Sequence, residues 1–341
     1  MRVTRMAIDL AKNTFQLHGT DESGKVFLRK KLSRTELGSF MAQHVPCEVS
    51  MEACGGSHYW ARTFKSQGHS VKLLPAQHVK PFVKSRQKND RNDSEAISEA
   101  SRRPGIKLVA AKELWQQDLL SLHRFRQHLV TSRTATINQC RGLLLEYGIV
   151  MKEGVSSFFK ELPLILEDGE NELTSSMRDL ARTLERMIKD LTEKLNEVEL
   201  KLKSLSQTQP DYERLLHVPG VGPLVASLFI STIGDPKVFK NGRNVSAWLG
   251  LVPRQNSSGG KSKLLGITKT GDENLRVALI HGARSLILAA LKKKKSDPLS
   301  QWILNLYQKK GWNITSVAIA NRNCRVMWHL MNYQEEYKLV A

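Results

Sequence analysis

The stretch MAIDLAKNTFQLHGTDESGKVFL, residues 6–28, decides the fold of the N-terminal region. It contains three short strand signals separated by turns, which is typical of a β-meander. After it the sequence alternates predicted helices and strands: helix 35–43, strand 47–51, helix 59–66 and strand 71–74. Strands and helices in this order predict an α/β domain in which a mixed sheet is flanked by helices.

The middle of the chain is predicted to be helical. Residues 112–146 form a basic helical segment, and a later segment repeats apolar residues at spacings of three and four over about four heptads. These apolar positions are Met177, Leu180, Leu184, Met187, Leu191, Leu195, Val198, Leu202 and Leu205. The spacing predicts a long helical hairpin or an intersubunit coiled coil, and therefore a dimer, although an amphipathic helix packed within its own subunit shows the same spacing. Pro210 ends this segment and marks a domain boundary.

The charge of the chain indicates its class of partner. Its 341 residues include 52 Lys and Arg against 33 Asp and Glu, a net charge of +19. Residues 237–341 hold 18 of these basic residues and only 5 of the acidic ones. An excess of this size favours a nucleic acid as partner and predicts that binding weakens steeply with salt.

The composition excludes several other classes of protein. With 40% hydrophobic and 25% charged residues, the chain is neither disordered nor fibrous. We find no uncharged run of the roughly 20 residues that a membrane span needs, and no secretory signal, so we expect a cytoplasmic protein. Four cysteines without a C-x-x-C pair indicate neither a disulfide framework nor a zinc site.

The glycine-rich segment LLHVPGVGP, residues 215–223, follows Pro210 and precedes an apolar helix. It resembles a helix-hairpin-helix, in which backbone N–H groups of a glycine-rich turn approach a phosphate. A tight turn between two helices that contacts no ligand explains the same residues.

Four carboxylates occupy positions where they could meet. Asp9 and Glu52 each end a predicted strand, and Asp90 and Asp93 lie three residues apart at the start of a predicted helix. Like charges this close need a compensating cation, and carboxylate oxygens select Mg²⁺ or Mn²⁺, the ions of two-metal phosphoryl transfer. Each acid taken alone is equally explained as a surface residue or a helix cap.

Two sets of short blocks resemble a known family. Residues 7–12 (AIDLAK), 51–56 (MEACGG) and 88–93 (KNDRND) are similar to the three blocks that carry the acids of a RuvC-like, RNase H-fold nuclease domain. Their wording resembles the transposases of the insertion sequence 110 family, which also includes the Piv DNA invertase. Residues 249–261, 266–271 and 274–276 resemble the C-terminal transposase domain of that family, closest to the insertion sequence 1111 subgroup.

The resemblance implies a domain plan and a set of site residues. It implies a RuvC-like domain at about 1–105, a helical coiled-coil region at about 106–210 and a mainly α C-terminal domain at about 211–341. Asp9, Glu52, Asp90 and Asp93 would hold Mg²⁺, and a serine would attack DNA to form a phosphoserine link. Counting back from Lys269 favours Ser257 as that nucleophile, whereas counting forward from Pro253 favours Ser258. The basic residues near this serine, expected to bind phosphate or to stabilise transition-state charge, are Arg254, Lys261, Lys263, Lys269 and Arg276.

The resemblance also implies partners. Relatives recombine donor and target DNA that a structured noncoding RNA, the bridge RNA, selects by base pairing, and we expect a dimer that assembles into a tetramer. Two other functions remain open from the sequence. A structure-selective junction endonuclease would use the carboxylates and water alone, and an architectural nucleic-acid binder would need no metal.

Overall fold

The computed structural model describes residues 2–83, 90–257, 263–293 and 297–338, with the backbone alone at 90, 91 and 293. The chain divides into two compact units, Met1–Leu114 and Trp115–Ala341. Residues on both sides of Pro210, among them Leu202 and Phe229, belong to one hydrophobic core. The helical region and the C-terminal region therefore lie in the same unit, and the division into three domains stays a prediction.

The first unit contains a five-stranded mixed sheet and its helices. Its elements are β1 (Arg5–Leu10), β2 (Thr14–Thr20), β3 (Val26–Ser33), α1 (Arg34–Gln43), β4 (Glu48–Glu52), α2 (Ser57–Ser66), β5 (Ser70–Leu74), α3 (Ala76–Val79) and α4 (Asp90–Ser101). The strand order is β3-β2-β1-β4-β5, in which β1, β2 and β3 are antiparallel neighbours and β4 and β5 continue the sheet parallel to β1. The predicted meander and the predicted mixed α/β sheet are both confirmed.

Strand β1 is buried on both faces, which explains its short apolar run. Met6 and Ile8 lie in the core formed with α1 and α2, whereas Ala7 lies in a separate core with Ala96 and Ile97 of α4. Successive residues of a strand point to opposite faces, so the two cores lie on opposite sides of the sheet.

The second unit is mainly helical. Its elements are α5 (Leu114–Leu145), α6 (Val155–Glu167), α7 (Ser175–Gln207), α8 (Pro210–Leu216), α9 (Pro223–Ile233), α10 (Gly242–Trp248), β6 (Pro253–Gln255), β7 (Leu264–Ile267), α11 (Glu273–Lys293) and α12 (Pro298–Tyr333). Strands β6 and β7 form an antiparallel hairpin.

Helices α5 and α7 form a long antiparallel pair. Arg126 Nε donates to Glu199 Oε1 at 2.7 Å, and Arg133 Nη1 donates to Thr192 Oγ1 at 3.4 Å. The residue number rises along α5 as it falls along α7, so the two helices run in opposite directions. The predicted long hairpin is therefore formed within one chain.

The apolar face of α7 differs in part from the predicted seam. Leu180 and Met187 are 43% and 49% exposed, whereas Ala181 and Ile188, one residue later, are fully buried. The buried face packs with residues of both α5 and α6, including Cys140 and Phe158. A third helix moves the buried stripe away from a two-helix seam, and the prediction is wrong at positions 180 and 187 for that reason.

Helix α11 is the central helix of the second unit. By length and composition, residues 273–292 are apolar enough to cross a membrane. However, Leu279, Ala283 and Ile287 lie in the shared core and are at most 2% exposed. This helix is explained by its place in the protein core.

The glycine-rich turn between α8 and α9 packs against α11 and α12. Gly220 has φ +78°, and a Cβ there would lie 2.7 Å from Leu286 Cδ1. A Cβ on Gly282 would collide with the Gly220 carbonyl oxygen. Asn323 Nδ2 also donates to the Pro219 carbonyl at 2.8 Å. Close packing within the unit therefore accounts for Gly220, as expected for a turn that joins two helices.

Candidate functional site

The predicted acids meet on one face of the sheet. Ile8 pairs with Met51 in the parallel β1–β4 register, so Asp9 and Glu52, the next residues, lie level at the same ends of neighbouring strands. Ala7 faces α4, and Asp9, two residues on, faces the same side. Met51 belongs to the opposite core, so Glu52 also faces α4. Two of the predicted ligands thus face the helix that carries the other two.

Helix α4 brings the remaining acids to this end of the sheet. It begins at Asp90 and has Asp93 in its first turn, while Ala96 and Ile97 pack against β1. The side chain of Asp90 lies outside the described residues. Below, the acid pocket means Asp9, Glu52 and Asp93.

Electrostatic effects link the members of the acid pocket. Burial raises the pKa of the Glu52 carboxyl, and the Asp93 charge raises it further. Burial likewise raises the pKa of the Cys54 thiol, with added contributions from the charges of Glu52 and Asp9. All three carboxylates therefore sense one another's surroundings, and the negative charge they gather is not fully compensated.

The acid pocket fits a divalent cation in its chemistry. Carboxylate oxygens are the ligands that Mg²⁺ and Mn²⁺ prefer, and a cation would relieve the repulsion that raises the Glu52 pKa. Among the side chains that the structure describes, no three His, Cys, Asp or Glu residues already stand as a metal-binding group. Asp90, the fourth predicted ligand, was not part of that set of side chains.

The predicted serine nucleophile lies on an exposed hairpin in the second unit. Ser257 follows β6, and its hydroxyl oxygen accepts a hydrogen bond from Gln255 Nε2 at 2.9 Å. The Asn256 N–H donates to the Lys263 carbonyl at 2.9 Å, which extends the pairing of β6 and β7. Arg254 and Lys263 are exposed on these strands. Ser258 and Lys261 lie outside the described residues. Residues 253–257 and 263–267 are called the serine hairpin below.

A glycine-containing loop supports the base of the serine hairpin. Gly250 has φ +74°, and a Cβ there would collide with the Thr270 backbone. The exposed Lys269 has φ +58°, and its N–H donates to the Gly250 carbonyl at 3.2 Å. The backbone around Lys269 is therefore fixed against the residues that precede β6.

Arg276 lies elsewhere than we expected. Its side chain is buried, and Nη1 donates to the Thr270 carbonyl at 2.7 Å and to the Leu249 carbonyl at 3.2 Å. A guanidinium committed to two backbone carbonyls is a support for the loop, since a phosphate anchor must reach solvent. The expectation that Arg276 binds nucleic acid is not followed further.

The sequence analysis missed a basic groove in the second unit. Arg243 of α10 and Arg322, Arg325 and His329 of α12 line a cavity of about 500 Å³. The spacing of Arg322, Arg325 and His329 by three and four is a helical-face pattern that the sequence already shows. The contribution of α10 becomes visible only in the fold.

Comparisons with known proteins give one family across both units. Residues 6–149 match a family described as Transposase, of the DEDD type associated with IS110, and residues 212–297 match the family described as Transposase IS116/IS110/IS902 family. The chain is 43% identical over 337 residues to the transposase for insertion sequence element IS1111A of Coxiella burnetii, covering 98% of this chain and 92% of the relative. It is 40% identical over 326 residues to the transposase for insertion sequence element IS1328 of Yersinia enterocolitica, covering 96% of each.

Proposed function

Because the chain belongs to the IS116/IS110/IS902 family and is a DNA transposase, we propose that it recombines donor and target DNA through a covalent phosphoserine intermediate. The proposal assigns the acid pocket, together with Asp90, to Mg²⁺ and Ser257 to nucleophilic attack. It also assigns the choice of DNA sites to a structured noncoding guide RNA, the bridge RNA.

One observation carries the proposal: three acids from β1, β4 and α4 face one another, and burial together with Asp93 raises the Glu52 pKa. A phosphodiester is itself negative, so carboxylates alone would repel it. Asp9, Glu52, Asp90 and Asp93 would hold Mg²⁺, which supplies charge compensation for the phosphate and for a hydroxyl that loses its proton. The mixed sheet with acids at the ends of β1 and β4 also supports a RuvC-like interpretation of the first unit.

The serine step is a balanced transesterification. The Ser257 oxygen forms a bond to the DNA phosphorus, one P–O bond to a deoxyribose oxygen breaks, and the proton that leaves the serine finally resides on that sugar hydroxyl. One phosphoester bond replaces another, so attack by a sugar hydroxyl can reseal the strand without an external energy source. The Gln255 side chain donates to the serine oxygen, which leaves the serine O–H free to transfer its proton elsewhere.

The basic residues of the hairpin have a role in this step. Arg254, Lys263 and Lys269 are exposed close to Ser257 in the sequence, and they carry positive charge to the place where the phosphate would lie. Lys261 and Ser258 belong to the same segment and complete the proposed set. We assign these cations to phosphate anchoring and to stabilisation of the charge that develops on phosphorus.

The guide and the assembly rest on charge and on topology of the reaction. A net charge of +19 suits a protein that binds backbone and shape while base pairing selects the sequence. Cutting and rejoining two DNA duplexes requires several active sites, so we propose dimers that pair into a tetramer.

A covalent-adduct assay tests the proposal. The full chain, purified from cells that express the whole element, is incubated with labelled donor and target DNA and then denatured. We expect a labelled protein–DNA adduct in Ser258→Ala and none in Ser257→Ala, with the double variant as a second control. An adduct that persists in the double variant overturns the serine mechanism, and cleavage without any adduct supports a junction endonuclease that uses water.

Sequencing of co-purified RNA tests the guide. We expect one structured RNA species encoded by the element, enriched over total cellular RNA. Recombination that proceeds with equal efficiency after complete RNA removal, and without added RNA, contradicts the guide.

A further inference from the structure

The basic groove of the second unit is formed by two helices that approach closely. It is lined by Asn241, Gly242 and Arg243 at the start of α10 and by Arg322, Arg325, Val326, Trp328 and His329 of α12. A Cβ on Gly242 would lie 3.1 Å from the Arg325 Cα, so a larger residue would push the helices apart. The glycine thus brings Arg243 of one helix beside the arginines of the other.

The walls of the basic groove are held by internal hydrogen bonds. Trp328 Nε1 donates to the Pro236 carbonyl at 2.9 Å, which ties α12 to the segment before α10. Asn321 Nδ2 donates to the Leu251 carbonyl at 3.1 Å, which ties the same helix to the segment after α10. The arginines therefore project from a preformed surface and pay little ordering entropy on binding a ligand.

The three arginines of the groove lack carboxylate partners among the described residues. Arg322 donates only to neutral oxygens, of Asn323 and Tyr337, each at 3.4 Å, and neither Arg243 nor Arg325 makes an ion pair. Elsewhere in this unit Arg126 and Arg214 do form ion pairs. The one carboxylate at the groove margin, Glu335, lies 3.2 Å from His329 Nε2. Three unpaired guanidinium groups around one cavity create a site for an anion.

Aromatic rings adjoin this charge. Tyr333, one turn after His329 on α12, is 57% exposed, and its ring centroid lies 4.7 Å from that of His329. The Tyr333 ring also packs edge-on against Trp328, with centroids 6.1 Å apart. An exposed ring that is supported from behind offers a flat surface on which an unpaired base can stack.

From these contacts we infer that the basic groove binds a single-stranded segment of nucleic acid, with phosphodiester groups on Arg243, Arg322 and Arg325 and a base on Tyr333. The inference rests on the proposed function in that a transposase handles nucleic acid, and it adds a second binding place that shares no residue with the acid pocket or the serine hairpin. A row of guanidinium groups along a groove matches successive phosphates of a strand better than one free phosphate ion.

The test measures the affinity of the full chain for short labelled oligonucleotides. The probes are a DNA single strand, an RNA single strand of the same sequence, and the corresponding DNA duplex, each over a range of salt. The charge variant is Arg322→Gln with Arg325→Gln. The matched control, Lys201→Gln with Lys203→Gln, removes two equally exposed positive charges from α7 in the same unit.

We expect the charge variant to bind the single strands roughly tenfold more weakly and to lower the salt slope by about 2, as for two lost phosphate contacts. The control should change affinity less than about twofold by its general charge effect. Equal losses in the two double variants, or no loss in the charge variant, overturn the inference. The single strand, DNA or RNA, that loses more affinity identifies the source of the phosphodiester.

A second variant tests the stacking role separately from folding. Tyr333→Leu keeps an apolar side chain and should weaken single-strand binding severalfold while leaving duplex binding unchanged; an equal loss on duplex contradicts base stacking. Unchanged melting temperatures keep the comparison valid, and Arg322→Lys, which keeps the charge, should retain intermediate affinity. If the unaltered chain binds no probe at all, the proposed function fails with the inference; if it binds as well as the charge variant, only the groove fails.

Discussion

The acid pocket and the serine hairpin are built in opposite ways. The acid pocket takes one residue from each of β1, β4 and α4, and the hydrophobic cores on both faces of the sheet fix those elements. The serine hairpin is exposed, and only backbone pairing and the support at its base define it. The comparison teaches that the protein concentrates unfavourable charge where the core can hold it, and presents its proposed nucleophile where DNA can reach it.

The largest effect should come from neutralising one member of the acid pocket. Asp93→Asn is nearly isosteric, so it removes a charge and leaves the packing of α4 in place. We expect recombination and adduct formation to fall by at least about 10²-fold, the size of one lost electrostatic stabiliser, without a lower melting temperature. A strand-exchange assay beside a thermal melt measures both.

The matched control for that variant lies on the same helix. Glu99→Gln, two turns later on α4, also removes one negative charge, and its side chain pairs with Arg103 at the surface. It should leave recombination within about twofold, as for an exposed ion pair. Unchanged recombination in Asp93→Asn would remove the metal site from the proposed mechanism.

The second effect concerns the support of the serine hairpin. Arg276→Ala removes a buried guanidinium and leaves the Leu249 and Thr270 carbonyls without their donor, so we expect a loss of about 2–3 kcal/mol. In a unit of this size the melting temperature should fall by roughly 5–10 °C. Calorimetry of the full chain measures the shift, and Arg254→Ala on the exposed strand is the control that should not move it. A melting temperature as high as that of the unaltered chain would show that Arg276 supports nothing.

A smaller effect tests the electrostatic cost within the acid pocket. Because the folded-state pKa of Glu52 is raised, the folded protein binds the extra proton more readily than the unfolded chain. The penalty is therefore fully present above the raised pKa and is relieved as the pH falls through it. Glu52→Gln should raise the melting temperature at neutral pH, by less than Arg276→Ala lowers it, and flatten its dependence on acid pH.

Divalent metal gives the same experiment a second measurement. Added Mg²⁺ should raise the melting temperature of the unaltered chain, because a ligand that binds only the folded state stabilises it. The rise should be smaller in Glu52→Gln. Equal stabilisation of both proteins by Mg²⁺ would place the bound ion away from Glu52.

The smallest effect concerns Lys269, whose φ of +58° is unfavourable for a residue with a Cβ. Lys269→Gly should relieve that strain, and the greater freedom of glycine in the unfolded chain offsets part of the gain, for a net increase of about 0.5 kcal/mol. Chemical denaturation measures it. If recombination also falls, the side chain takes part in binding phosphate; if recombination is unchanged, Lys269 serves the loop alone.

Much of the first unit could be read from the sequence. The strand signals in residues 6–28 and the alternation that follows determine the order of β1 to β5, because strand and helix periods are local properties. Asp9 and Glu52 were found because both end strands, and parallel strands end at the same edge of a sheet. The apolar face of α7 was read only in part, since the choice of Ala181 over Leu180 depends on α6, which the spacing does not reveal.

By itself, the sequence determined the α/β sheet, the long helices, the excess of positive charge, the family and the identity of the candidate acids and serines. Only the tertiary structure decided that Arg276 faces inward, that Gly220 packs on Gly282 and that three arginines from α10 and α12 share one groove. The physical reason is the range of the interactions. Periodicity and turn chemistry act between neighbours in the chain, whereas burial and the pairing of charges depend on residues that only folding brings together.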